Sequence, residues 1–240
     1  MGVDEAGRGP AIGPLVVCAL SVPKNDRSIL EELGVGDSKV LNKKRRMEVY
    51  MEIISNADSR GWKVGLIHCN AAEIDHWMET GTLNSLEVQL FAEAILLATD
   101  ELSGCTLFLD ACDVDEVRFA RNVSSKIGEG CAPWEIYSEH KMDSKDVVTG
   151  AASIVAKVNR DISMEELSRE LGIDFGSGYP SDPKTKLAIE DLCREKNLID
   201  CLRRGWGNVE RTWKKYNRES VPIRDASERR SYQSVLFRWS

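Results

Sequence analysis

The opening residues constrain the fold most. A short apolar segment, Gly2 to Asp4, ends on the acids Asp4 and Glu5, and a glycine- and proline-rich turn, Gly7 to Pro14, leads directly into the apolar run Leu15–Val22. That run is rich in β-branched residues and short, as expected of a strand buried on both faces. The first segment reads as its neighbour in a sheet. Gly7-Arg8-Gly9-Pro10 is not a dinucleotide-binding loop, because such a loop opens a helix and this turn opens a strand. Two readings remain for it: a tight hairpin, or a turn that brings backbone close to a ligand beside two acids, with Arg8 available for phosphate.

Lys63–Cys69 reads as a third strand, and the short links imply an antiparallel meander. Asp37-Ser38-Lys39 precedes a basic helical stretch from Lys43 to Ile54. Leu83, Leu86, Leu90, Ala94 and Leu97 share one face of a helix that Thr82 or Asn84 can cap and that runs to about Thr99. Strand and helix then alternate at Thr106–Ala111, Val114–Ile127, Trp134–Ser138 and Val147–Leu171, so a mixed α/β sheet is expected. Gly176 to Pro183 forms a rigid turn, and Lys184–Lys196 resumes helical spacing. The expected organisation is a sheet domain over residues 1–175, a helical part over residues 176–216 packed against it, and a linker and tail over residues 217–240.

With 240 residues and 42% hydrophobic content, the chain can fill one large core. No apolar run approaches the roughly 18 residues of a membrane span, and the expectation is a soluble, cytoplasmic protein. The seven cysteines form no C-x-x-C pair and read as reduced, buried thiols. A net charge of −7 argues against general electrostatic attraction to nucleic acid. The local exception is the run Lys39, Lys43, Lys44, Arg45 and Arg46, either a solvated helix face or a rim that touches phosphate. His68, His76 and His140 are too scattered for a zinc site, and Asp110 to Glu116 lacks the spacing and the glycine of a calcium loop.

Acids remain as the chemical candidates. Asp4 and Glu5 end the first strand, Asp110 ends another, and Asp143 follows a third. Ligands of open α/β sheets sit at strand ends. Converging carboxylates repel one another unless a cation is present, and hard oxygen donors without histidine suit Mg²⁺ or Mn²⁺. A pair of such ions is the machinery of phosphodiester hydrolysis. Each acid taken singly also reads as an ordinary cap or turn residue, and strand alternation sets Asp4 and Glu5 on opposite faces.

Together, Gly2-Val3-Asp4-Glu5-Ala6-Gly7-Arg8-Gly9-Pro10, Asp37-Ser38-Lys39, Asp110, His140-Lys141-Met142-Asp143, Ala151 to Lys157 with Arg160-Asp161, and Gly176 to Asp182 resemble the ribonuclease HII family in order and spacing. Val209 to Trp213 resembles the family's closing motif, and the wording around Asp4 and the short N-terminus look archaeal. The resemblance implies a ribonuclease H-like sheet of three antiparallel and two parallel strands, five in all, flanked by helices, with a helical C-terminal part. It implies that Asp4, Glu5, Asp110 and Asp143 hold two Mg²⁺ or Mn²⁺ ions and are catalytic. It assigns Gly7, Arg8 and Gly9 to the ribonucleotide and its 2′-OH, Tyr179 to the sugar at the RNA–DNA junction, and Ser38, Lys39, Ser153 and Lys157 to phosphate. The implied substrates are RNA/DNA hybrids and duplex DNA with embedded ribonucleotides, cut to leave 3′-hydroxyl and 5′-phosphate ends. Met142 departs from the family, which more often has a small residue there.

The tail, Gln233-Ser234-Val235-Leu236-Phe237-Arg238-Trp239-Ser240, resembles a sliding-clamp-binding peptide through Gln233, Leu236 and Trp239, although Ser240 stands where a second aromatic is usual. It reads equally as an apolar cluster that docks on its own domain. A monomer is expected. Two rival functions stay open: another nuclease or recombinase on the same sheet, or a binding module whose acids hold a structural ion.

Overall fold

A computed structural model describes residues 1–35, 41–99, 104–128 and 135–224. Asp37, Ser38, Lys39 and the tail residues Gln233, Leu236 and Trp239 lie outside the described residues. Five strands form one sheet: β1 (Gly2–Ala6), β2 (Leu15–Ser21), β3 (Lys63–Cys69), β4 (Thr106–Asp110) and β5 (Glu135–Glu139), in the order β3-β2-β1-β4-β5. β1 to β3 pair antiparallel, with Asp4 opposite Cys18. β4 runs parallel to both β1 and β5. The expected meander followed by parallel strands is thus the observed sheet.

β2 explains the layering. Its Leu15, Val17 and Ala19 face one side, where they pack with Val3, Ile67, Phe91, Leu107, Leu109 and Phe119. Val16, Cys18 and Leu20 face the other and pack with Val49, Ile53, Ala151, Ile154 and Val155. Helices α4 (Leu83–Leu97) and α5 (Glu116–Ile127) cover the first face, and α2 (Lys43–Arg60) and α6 (Val147–Leu171) cover the second. A strand covered on both sides has no polar face to show, hence its unbroken apolar run.

Caps set most helix starts. Thr82 accepts from Ser85 N at the start of α4, Asp115 accepts from Arg118 N at the start of α5, and Asp146 accepts from Val148 N and Thr149 N at the start of α6. The basic helix α2 continues past Ile54 to Arg60, where Gly61 in the left-handed conformation (φ 71°) ends it. Three helices were not expected: α1 (Arg27–Glu32), α3 (Ala71–Met78) and α8 (Gly207–Asn217).

A third core joins the C-terminal helices to the opening turn. α7 (Pro183–Arg194) and α8 contribute Ile189, Leu192, Val209 and Trp213, which surround Ala11, Ile12 and Met164. Ile12 also forms an isolated antiparallel bridge with Leu202. Residues 218–224 lead to Arg224, which is buried and ion-paired to Asp75. No helix among the described residues is long and apolar enough to cross a membrane.

Candidate active site

The C-terminal ends of β1 and β4 lie side by side, and the chain leaving β5 returns to them through a left-handed Lys141 (φ 58°) and a 3-10 turn at Met142–Ser144. Asp4, Asp110 and Asp143 each place a carboxylate oxygen within 4.8 Å of the other two. Asp4 and Asp143 are buried, and Asp110 is partly exposed. Met142 is buried, and its backbone N–H donates to Asp110 Oδ1 at 3.3 Å. The family departure at this position therefore sends its side chain inward while its backbone holds an acid.

Glu5 follows the strand alternation. Its backbone N–H donates to Asp4 Oδ1 at 2.8 Å, but its carboxylate forms a second group with Glu87 and Cys112, again within 4.8 Å. All four expected acids nonetheless line one cavity of about 350 Å³, together with Gly7, Arg8, Lys157 and Tyr179. That brings together most of the described residues singled out in the sequence. Gly9 lies beside the cavity, where a Cβ on it would stand 3.4 Å from Tyr179 Cε1. His140 sits near the acids, with Nδ1 3.1 Å from the Ala111 carbonyl oxygen.

Two placements differ from a simple substrate contact. The Arg8 guanidinium is turned to α4, where it pairs with buried Glu87 and donates to Asn84 Oδ1 at 2.8 Å. Ser153 is wholly buried, accepts from Lys157 Nζ at 2.6 Å, and is hydrogen-bonded to Asp4. Lys157 Nζ is also 4.0 Å from Asp143 Oδ2. Ser153 and Lys157 thus support the acids from α6.

Arg46, expected only as part of a basic run that is either a solvated face or a phosphate rim, and Lys141, Arg160 and Asp161, which had no assigned role within the family motifs, also line the cavity. Arg46 Nη2 is 3.3 Å from Asp161 Oδ2, and the Arg160 guanidinium lies 5.3 Å from the Tyr179 ring centroid. The helical period held the signal for Arg46. It shares a face with buried Val49 and Ile53, whereas Lys43, Lys44 and Arg45 point to solvent.

Burial, then the neighbouring Glu5, pushes the Asp4 carboxyl well above the usual range; burial also raises Glu5. Burial, then the Asp4 and Asp143 charges, raise Asp110 to about 7. Carboxylates packed this closely favour a cation among them, and all-oxygen donors fit a hard divalent ion. The group around Glu5 is less open to an ion because Arg8 already holds Glu87.

The reluctance of Asp110 to ionise makes stability depend on pH. Unfolding lets this acid ionise from its ordinary 3.8, so metal-free stability should fall as pH rises from about 3.8 to about 7 and level off above. Asp110→Asn is expected to raise metal-free stability at pH 8 by about 1–3 kcal/mol and to flatten the pH dependence. Melting curves of both proteins at pH 6 and pH 8 check this; parallel pH slopes would contradict it.

The profile of the family described as Ribonuclease HII matches residues 1–209. The chain is 42% identical over 209 residues to the ribonuclease HII of Pyrococcus furiosus, covering 87% of this chain and 88% of that one. It is 38% identical over 238 residues to the ribonuclease HII of Thermococcus kodakarensis, covering 99% and 97%. The structure of a PCNA:RNase HII complex from Archaeoglobus fulgidus superposes with a TM-score of 0.75 at 34% identity, over 85% of this chain and 93% of that chain. With the sheet, the three-acid cluster and the glycine turn in one place, the chain belongs to the ribonuclease HII family, in its archaeal form.

Proposed function

We propose that the protein is an endonuclease that hydrolyses the RNA strand of RNA/DNA hybrids and cuts on the 5′ side of ribonucleotides embedded in duplex DNA, leaving 3′-hydroxyl and 5′-phosphate ends. The observation that carries this reading is one cavity in which Asp4, Glu5, Asp110 and Asp143 adjoin the Gly7 turn and Tyr179. Asp4, Asp110 and Asp143, with Glu5 beside them, would hold two Mg²⁺ or Mn²⁺ ions. When bound, such a pair activates water on one side of a phosphodiester and stabilises the leaving oxygen on the other.

The remaining residues bind and orient. Lys157 balances charge at Asp143, and Arg46 and Arg160 line the acidic cavity with fixed cations for a phosphate path. Gly7, Arg8 and Gly9 bring backbone to the ribose, whose 2′-OH separates RNA from DNA. Tyr179, 40% exposed and seated beside Gly9, packs on the sugar. Ser38 and Lys39 contact phosphate, and residues 176–216 complete the groove of the 1–175 sheet domain.

Tyr179→Ala tests the sensing role. It is expected to slow cutting at a single embedded ribonucleotide by about tenfold more than cutting of a continuous hybrid, since one sugar must then be fixed without its platform. Equal losses on both substrates would remove that role.

We further propose a cytoplasmic monomer that binds a sliding clamp through Gln233, Leu236 and Trp239. The Archaeoglobus fulgidus relative was solved in complex with PCNA. Removing residues 225–240 should abolish co-elution with a sliding clamp while leaving cleavage of short duplexes unchanged. Undiminished co-elution would move the contact elsewhere.

A further inference from the structure

The turn that carries Gly7, Arg8 and Gly9 rests on one buried arginine from the far end of the chain. Arg203 is wholly buried and spends its guanidinium on three backbone carbonyls. Nη2 donates to Gly7 O at 2.7 Å, Nη1 to Arg8 O at 3.1 Å and Nε to Gly13 O at 3.0 Å. Trp206, whose ring lies 4.8 Å from the Arg203 guanidinium, donates its indole N–H to Gly9 O at 3.2 Å. Every carbonyl from Gly7 to Gly9 is therefore taken from one side.

In a planar trans peptide the N–H of one residue points opposite to the carbonyl of the residue before it. Gly7 and Arg8 carbonyls drawn to Arg203 turn the Arg8 and Gly9 N–H groups away from it. Gly7, Arg8 and Tyr179 line the acidic cavity, and the buried Arg203 lies behind them. The two N–H groups thus point away from Arg203 on the turn whose Gly7 and Arg8 line the cavity, where they can serve as a pair of donors for a ligand oxygen.

Arg203 is itself held in place. Its backbone N–H donates to Ala11 O at 2.9 Å, and Gly13 N donates to Cys201 O at 2.9 Å. Asp75 of α3 accepts from Arg204 N at 2.8 Å and Gly205 N at 3.0 Å, and it receives the buried Arg224 at 2.9 Å. Asp75 thus ties the segment that follows Arg203 to α3 through three hydrogen bonds.

We propose that Arg203 is a positioning residue for ribonucleotide recognition, which by gathering the Gly7, Arg8 and Gly13 carbonyls presents the Arg8 and Gly9 N–H groups to the sugar hydroxyl and adjoining phosphate. The inference rests on the reading of this site as a ribonucleotide-cutting centre. Arg203 touches no substrate and acts through the turn.

Arg203→Met and Arg203→Lys test it on a duplex with one embedded ribonucleotide, with Mn²⁺ binding followed by calorimetry. Arg203→Met should lower kcat about 100-fold while KM and Mn²⁺ affinity stay within about threefold, because a misplaced turn disturbs the reacting geometry and leaves the acids intact. Arg203→Lys, which keeps a buried cation but not the fork, should recover part of that loss; it carries the test if the methionine variant does not fold. Variants that cut at the wild-type rate, or that lose kcat only together with Mn²⁺ affinity, overturn the inference alone. A wild-type protein that leaves this duplex uncut while binding Mn²⁺ overturns the reading of the site beneath it.

Discussion

Replacing Asp4 by asparagine is expected to reduce cleavage by about 10³-fold or more while the protein remains folded. Asp4 is 3% exposed, and it belongs both to the three-acid cluster and to the chain of bonds through Ser153 to Lys157. An amide of the same size removes the negative charge that an ion pair needs. It also removes a carboxylate that burial already makes reluctant to ionise, so the metal-free variant should melt no lower than the wild type. Rates in Mg²⁺ and Mn²⁺, paired with melting curves, check both halves. Wild-type turnover in a folded variant would remove Asp4 from the chemistry.

Gly7→Ala should damage fold and activity together. Gly7 has φ 97°, and a Cβ there would stand 2.5 Å from Pro14 O and 2.6 Å from Arg160 Cδ. Backbone strain and overpacking sum to about 2–4 kcal/mol, which in a protein of this size lowers Tm by roughly 5–12 °C. Relief would require the turn to move off Arg203 or Arg160 to swing from Tyr179, and a shift of that kind costs about 100-fold in rate. Gly9→Ala is the milder comparison, because its Cβ meets Tyr179 at 3.4 Å. A Gly7→Ala protein with unchanged melting and turnover would mean that the turn is free to relax.

How far this could be read from sequence follows from the range of each interaction. Strands β1 to β3 and the face of α4 were legible because burial leaves a period in the chain. The acids were legible as strand ends. Glu5 was legible only by half: alternation predicted its divergence from Asp4, while its meeting with Glu87 and Cys112 needed the packing of α4 and the loop after β4. The start of the eight-residue α3 was signalled in the sequence by the Asn70–Glu73 capping box, whereas α8 has no side-chain cap at Trp206 to mark it. Nothing local marks Arg203. Its partners lie 190 to 196 residues away, and an arginine followed by Arg204 and Gly205 looks like surface until the opening turn folds over it.

The central claim is that one cavity joins acid chemistry to recognition of a ribose hydroxyl. It is tested most directly by incubating the purified protein with Mg²⁺ or Mn²⁺ on a labelled DNA duplex containing one ribonucleotide, beside the same duplex in all-DNA form. A single cut on the 5′ side of the ribonucleotide, with the all-DNA duplex intact, is the predicted result; no cut in either metal, or equal cutting of both duplexes, would contradict it.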